Sequence, residues 1–180
     1  MTAPLTHRPA DLDDLAALHD LMRRAIDTLQ DGFLTPAQVR ASRHVMGLDT
    51  QLVRDGTYLV VLDGNTIVGC GGWSYRATLF GGDASIVVRA PDPLDPATDA
   101  ARVRAMYTSP DHARRGIGRM VLGQCEAAAR AYGFRRAELM ATLAGEPLYR
   151  ACGYVAIEPI LSDPIDGVSV PLIRMGKRLD

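Results

Sequence analysis

Apolar residues recur near the start of the chain at intervals of three and four. Leu12, Leu15, Ala16, Leu18, Met22, Ile26 and Leu29 fall on one face of a helix, with Asp11, Asp13 and Asp14 at the end where backbone N–H groups lack partners. Before it, 5–8 reads as a short strand stopped by Pro9. Gly32 ends the helix, and Thr35-Pro36 supplies an N-cap and first-turn proline for a second helix expected to reach about Met46. The period then becomes two. Residues 58–62 and 67–75 are β-rich and joined by Asp63-Gly64-Asn65, which predicts an antiparallel hairpin. The run 84–89 reads as a further strand. Residues 90–100 hold three prolines and three aspartates and read as a loop, either near a site or covering a sheet edge.

A strand follows at 102–107, stopped by Ser109-Pro110. After Gly116-Ile117-Gly118 a helix begins, with Ile117, Val121, Cys125, Ala128 and Tyr132 as its apolar stripe, Arg119, Glu126 and Arg130 opposite, and Gly133 at its end. Then come a strand at 136–142, a short helix at 147–152, and strands at 154–161 and 168–175 that form a closing hairpin. The order contains one strand-helix-strand crossover among antiparallel strands. It predicts an α/β fold with a mixed sheet flanked by helices.

Composition narrows the class without defining it. With 180 residues, 47% of them hydrophobic and 23% charged, the chain suits one domain over 1–180 with a well-buried core. A net charge of −1 provides no basic field for nucleic acid or an anionic membrane. Positive charge comes from arginine except at Lys177, a bias without functional weight. Cys70, Cys125 and Cys152 are odd in number and widely spaced, so neither a disulfide framework nor a metal site is expected. Residues 1–10 lack a basic region followed by an apolar run, and no stretch approaches membrane-spanning length; a cytoplasmic location is the expectation.

Candidate chemistry concentrates in 102–123. Glycines at a helix entrance let backbone N–H groups face outward, and Arg114, Arg115 and Arg119 add full charges there, an arrangement suited to an anion. It is not the phosphate loop of nucleotide hydrolases, because Arg119-Met120 follows Gly118 where Lys and Ser or Thr are required. Nor is it the dinucleotide fingerprint, whose third glycine is replaced by Val121.

Ala113-Arg114-Arg115-Gly116-Ile117-Gly118 resembles the acyl-CoA loop of the GCN5-related N-acetyltransferase (GNAT) superfamily, Gln/Arg-x-x-Gly-x-Gly/Ala between a strand and a helix. Leu148-Tyr149-Arg150-Ala151-Cys152-Gly153-Tyr154 is similar to the family's second signature, and the element order agrees over nearly the whole chain. The resemblance implies a twisted, mostly antiparallel sheet with one splayed parallel strand pair. It implies transfer of an acetyl group from acetyl-CoA to a primary amine, small-molecule or peptide, with no metal. Main-chain groups at Arg114, Arg115, Gly116, Ile117, Gly118 and Arg119 would hold the CoA pyrophosphate. Met106, Tyr107 and Thr108 would pair with the pantetheine arm and polarise the thioester carbonyl. Tyr149 would protonate the departing sulfur. Thr142 stands where many members carry an asparagine beside CoA, and Ala113 where they carry Gln or Arg. Family habit makes a homodimer possible.

Three matters stay open in the residues themselves. The general base is Glu138, His112 or an ordered water, with His44 and His19 weaker candidates. Trp73 and Tyr75, on one strand face, form either an acceptor wall or part of the core, with Phe33 as a partner across the pocket. A non-catalytic acyl-CoA sensor is the alternative to an enzyme. Cys152 reads as a small apolar residue rather than a nucleophile.

Overall fold

A computed structural model describes residues 4–180. Strand β1 (Thr6–Pro9) leads into a single 3-10 turn whose start is closed reciprocally: Asp11 caps it, and Asp14 accepts from the Asp11 N–H at 2.9 Å. The Asp14 carboxylate, held below its usual pKa by hydrogen bonds from Arg8, ties β1 to helix α1 (Leu15–Leu29). Leu18, Leu21, Met22, Ala25 and Ile26 are the buried face of α1. Leu12 precedes the helix and is exposed, and Ala16 faces solvent, so the predicted stripe narrows.

Thr35 and Gln38 cap each other at the start of helix α2 (Pro36–Ser42). It stops at Ser42, short of Met46, because 43–46 unwinds into turns that bury Val45 and lead to Gly47 at φ +135°. The sequence reading missed helix α3 (Thr50–Arg54), which is too short to show a period; Asp49 caps it.

Strands β2 (Tyr58–Asp63) and β3 (Thr66–Ser74) form the expected hairpin. No strand forms at 84–89. The Ser85 hydroxyl accepts from the N–H groups of Gly82 and Val87, which folds the segment into local turns with no sheet partner. The 90–100 segment runs along the end of β3, where the Leu94 N–H donates to the Tyr75 carbonyl at 2.7 Å. It covers that edge.

The remaining elements are β4 (Ala101–Thr108), α4 (Ile117–Tyr132), β5 (Arg136–Thr142), α5 (Glu146–Ala151), β6 (Val155–Leu161) and β7 (Pro171–Arg178). Seven strands form one sheet in the order β1-β2-β3-β4-β5-β7-β6, antiparallel except for β4 and β5. The expected closing hairpin is present as β6 and β7. Its second strand starts three residues later than predicted because Val168 belongs to a tight turn with Ile165.

Helix α4 covers one face of the sheet and α1 to α3 the other. Its buried positions are Ile117, Val121, Leu122, Cys125, Glu126 and Ala129. Ala128 and Tyr132 lie outside that face, correcting the predicted stripe, and Glu126 lies inside it because Lys177 of β7 neutralises its carboxylate at 2.7 Å. The helix can approach β3 so closely because Gly69 and Gly71 lie beneath it. A Cβ on Gly69 would meet Ile117 Cγ2 at 2.2 Å, and one on Gly71 would meet Val121 Cγ1 at 2.6 Å.

Candidate active site

The parallel strands β4 and β5 pair only at Ala101↔Ala137 and Arg102↔Glu138. Beyond these residues they part, and the β5-facing edge of β4 has no strand beside it. A bulge adds to the effect: Arg104 pairs with Gly72 and Tyr107 with Cys70, so both Ala105 and Met106 stand opposite Gly71. Ala105 sits at φ +51°, and its carbonyl accepts from Tyr58 Oη at 2.6 Å. A bulge of this kind re-aims main-chain groups next to a site.

At the end of the split, Arg114 (φ +66°) and Gly116 (φ +82°) turn the chain into α4. No side chain caps that helix, and its first main-chain bond runs from the Met120 N–H to the Gly116 carbonyl. The amides of Ile117, Gly118 and Arg119 therefore start a 16-residue helix without intrahelical partners, with the dipole's positive end behind them. Arg114 and Arg119 are exposed and form no ion pair with the other described residues; Arg115 donates to Asp63 at 2.9 Å. The groups that would form the expected anion cradle are main-chain amides.

One cavity of about 320 Å³ passes through the split. On the α4 side Met106, Thr108, Gly118, Thr142, Leu148 and Tyr149 line it. Tyr149 projects from α5 over Gly145, where a Cβ would lie 3.1 Å from the ring. Its half-buried hydroxyl is 3.9 Å from Met106 Sδ, and its ring stands edge-on to Tyr154 with centroids 6.0 Å apart. Burial raises the Tyr149 pKa above that of a free phenol, so the group, protonated at neutral pH as any phenol is, keeps its proton further into the alkaline range. The Thr142 hydroxyl accepts from the Gly145 N–H at 3.0 Å and so fixes the start of α5. Tyr107 reaches the other way, its hydroxyl accepting from the Gly47 N–H at 2.9 Å.

On the α1 side the wall is largely apolar, and the ionised group set in it is Arg104. Arg104 is 5% exposed; it donates to Asp49 Oδ2 at 2.7 Å and to the Gly81 carbonyl at 2.6 Å. Burial lowers its pKa and Asp49 opposes that, yet a guanidinium titrates so far above neutrality that it stays charged. Asp49 also pairs with Arg89, which holds Asp83, so the 79–89 segment is clasped onto the site. Arg104, Gln30 and Leu79-Phe80-Gly81 escaped the sequence reading. The available signal was Arg104, set between the apolar Val103 and Ala105 two residues after Arg102.

Other candidates lie elsewhere. Trp73 packs edge-on to Tyr75, Tyr132 and Phe134, and Tyr75 stacks on Tyr132 with centroids 5.3 Å apart. This cluster seals one end of the sheet, away from the cavity wall, because Tyr132 and Phe134 offer the two rings an apolar bed. Phe33 is 50% exposed and also off the wall. Glu138 accepts from Arg102 and Arg174, both at 2.7 Å, behind the point where the strands part. His112 sits outside the cavity, its Nδ1 3.3 Å from Ser109 Oγ; His44 and His19 are exposed and do not line it. Among the described residues no Asp, Glu or His side chain forms part of the wall.

The comparisons agree with this geometry. The sequence profile of the Acetyltransferase (GNAT) family matches residues 19–154. The chain belongs to that family and is an acyltransferase. No curated protein matches it by sequence. Among solved structures it is similar to the GCN5-related N-acetyltransferase from Rhodopseudomonas palustris, with a TM-score of 0.70 and 18% identity over 99% of this chain and 98% of that one. It is similar to the putative acetyltransferase YncA from Salmonella typhimurium with its cofactor acetyl-CoA, with a TM-score of 0.65 and 17% identity over 99% of this chain and 95% of that one. The PaiA N-acetyltransferase from Thermoplasma acidophilum, in complex with coenzyme A, gives a TM-score of 0.63 and 13% identity over 98% and 99% of the respective chains. The twisted mixed sheet with its parting parallel pair is therefore the GNAT fold. Among the described residues no helix is long and apolar enough to cross a membrane.

Proposed function

We propose that the protein is a cytoplasmic N-acetyltransferase that passes the acetyl group of acetyl-CoA directly to a primary amine of a small-molecule or peptide acceptor in a ternary complex. The observation that carries this reading is the single cavity running through the β4/β5 split, which gives two substrates access from opposite faces of one sheet. A donor-only sensor has no use for the α1 half of that cavity.

Acetyl-CoA supplies an activated acetyl thioester. The free amides of Ile117, Gly118 and Arg119 fit its pyrophosphate, with the turn at Arg114, Arg115 and Gly116 and the charges of Arg114 and Arg119 around them. The main chain of Met106, Tyr107 and Thr108 is the strand edge left open for the pantetheine, and its N–H groups polarise the thioester carbonyl. Thr142 borders the same channel.

The acceptor nitrogen bonds to the acetyl carbon as the carbon–sulfur bond breaks. Tyr149, protonated at neutral pH as phenols are, gives its phenolic proton to the sulfur. Water takes the proton lost by the amine, since no carboxylate or imidazole lines the cavity. Thiol release measured with a panel of amines tests the assignment. Tyr149→Phe should lower kcat by about 100-fold, the range for one positioned acid, while leaving the fold intact. An unchanged kcat removes Tyr149 from the acid role.

A further inference from the structure

The α1 half of the cavity is where side chains decide what enters. Its wall includes Ile26, Leu29, Met46, Phe80, Met140 and Leu172. Into it are set two polar residues, Arg104 and Gln30, 5% and 3% exposed. Each keeps a buried polar atom without a partner among the described residues: Arg104 Nε and Gln30 Oε1. Of the guanidinium's five N–H donors, one binds Asp49 and one the Gly81 carbonyl. The Gln30 amide nitrogen donates to Ser42 Oγ at 2.9 Å, which leaves its oxygen as the free group. An unpaired buried donor or acceptor is costly, so the two polar residues of this wall hold one unmet donor and one unmet acceptor just behind its apolar surface.

Charge adds direction. The carboxylates that balance Arg104 and Arg89 are Asp49 and Asp83, and neither lines the cavity. Among the described residues the wall therefore carries a guanidinium and no carboxylate.

We infer that the acceptor is a small amino-acid-type molecule, a primary amine bearing a carboxylate and an apolar side chain. The carboxylate is recognised by Arg104, an amine N–H by Gln30 Oε1, and the side chain by the surface around Phe80 and Leu172. Gln30 accepts an N–H and so leaves the nitrogen lone pair free to attack. Water takes one proton from the ammonium before attack and one from the nitrogen after it, Tyr149 gives its proton to sulfur, and water returns a proton to Tyr149; the products are the N-acetylated acid and CoA thiol. This inference rests on the acetyltransferase reading above.

Three acceptor sets given to the full-length protein with acetyl-CoA test it: leucine and phenylalanine; their decarboxylated counterparts isoamylamine and phenethylamine; and putrescine, spermidine and a lysine-containing basic peptide. The amino acids should be acetylated with kcat/KM about 100-fold above the decarboxylated amines, because loss of the carboxylate leaves the buried Arg104 Nε donor without a partner. The polyamines and the basic peptide should be poorer still. Arg104→Gln should collapse the ratio between phenylalanine and phenethylamine to near one. Gln30→Met, which leaves the Asp49 network untouched, should raise the KM for phenylalanine about tenfold, the worth of one hydrogen bond. Equal use of the decarboxylated amines, or preference for the polyamines or the peptide, overturns the inference while leaving the acetyltransferase reading standing. Thiol release with none of the three sets overturns both.

Discussion

The two halves of the cavity are made of different material. On the α4 side the proposed donor groove is main chain: an unpaired strand edge, a bulge, a glycine turn and the uncapped start of a helix. On the α1 side the proposed acceptor pocket is side chains from α1, the turn after α2, the 79–81 segment, β4, β5 and β7. Main-chain recognition depends on a few glycines and on conformation. Side-chain recognition depends on which residues distant segments bring together. A constant donor and a variable acceptor call for this division, since acceptor residues can change without disturbing the backbone that holds CoA.

The comparison is broken most severely at Gly69. Its Cβ position is 2.2 Å from Ile117 Cγ2, so Gly69→Val pushes the first turn of α4 away from β3. Overpacking of this kind costs about 1–3 kcal/mol. Acetyl-CoA affinity by calorimetry should fall by at least about tenfold, the equivalent of 1.4 kcal/mol lost from the cradle. Unimpaired binding would show that the helix start does not hold the donor. A milder change should affect only the other half. Arg89→Ala removes the ion pairs to Asp49 and Asp83 that clasp the 79–89 segment. Arg89 is 36% exposed, so the pairs are worth about 1 kcal/mol at most, and the KM for the acceptor should rise no more than about fivefold with the KM for acetyl-CoA unchanged. Parallel rises in both constants would mean that the halves are not independent.

The last effect is one of pH and bears on stability rather than on either half of the cavity. Cys70, under α1, and Cys125, in α4, are fully buried, and desolvation pushes both thiols up to about 12. Between the usual thiol range and about 12 the unfolded chain has lost protons that the native one keeps, so stability falls as pH rises. Each thiol contributes about 1.4 kcal/mol per pH unit in that window. Urea unfolding from pH 9 to 11 should show the slope, and Cys125→Ala should reduce it by that amount. Buried Tyr58, Tyr107, Tyr149 and Tyr154, all shifted upward by burial, steepen the loss above about pH 10.

Local signals carried far along this chain. The hairpin at Asp63-Gly64-Asn65, the cap at Thr35 and the glycine entry to α4 are each written in adjacent residues, and each formed. Where local propensity met no partner it misled: 84–89 has strand composition, but Ser85 found its own backbone before a neighbouring strand. Trp73 and Tyr75 share a strand face as read, yet what that face meets was decided by Tyr132 and Phe134, some sixty residues away.

The sequence by itself determined the family, most of the order of elements and the turn that begins α4, because these rest on glycines, prolines and caps that act within a few residues. Only the tertiary structure decided that Arg104 is buried beside Asp49, that Glu138 is held between Arg102 and Arg174, and that one cavity joins the two faces of the sheet. Those facts depend on where β4 and β5 part and on which loops close over the gap. Burial and charge pairing between segments many residues apart set that outcome, and no short window of the chain contains it.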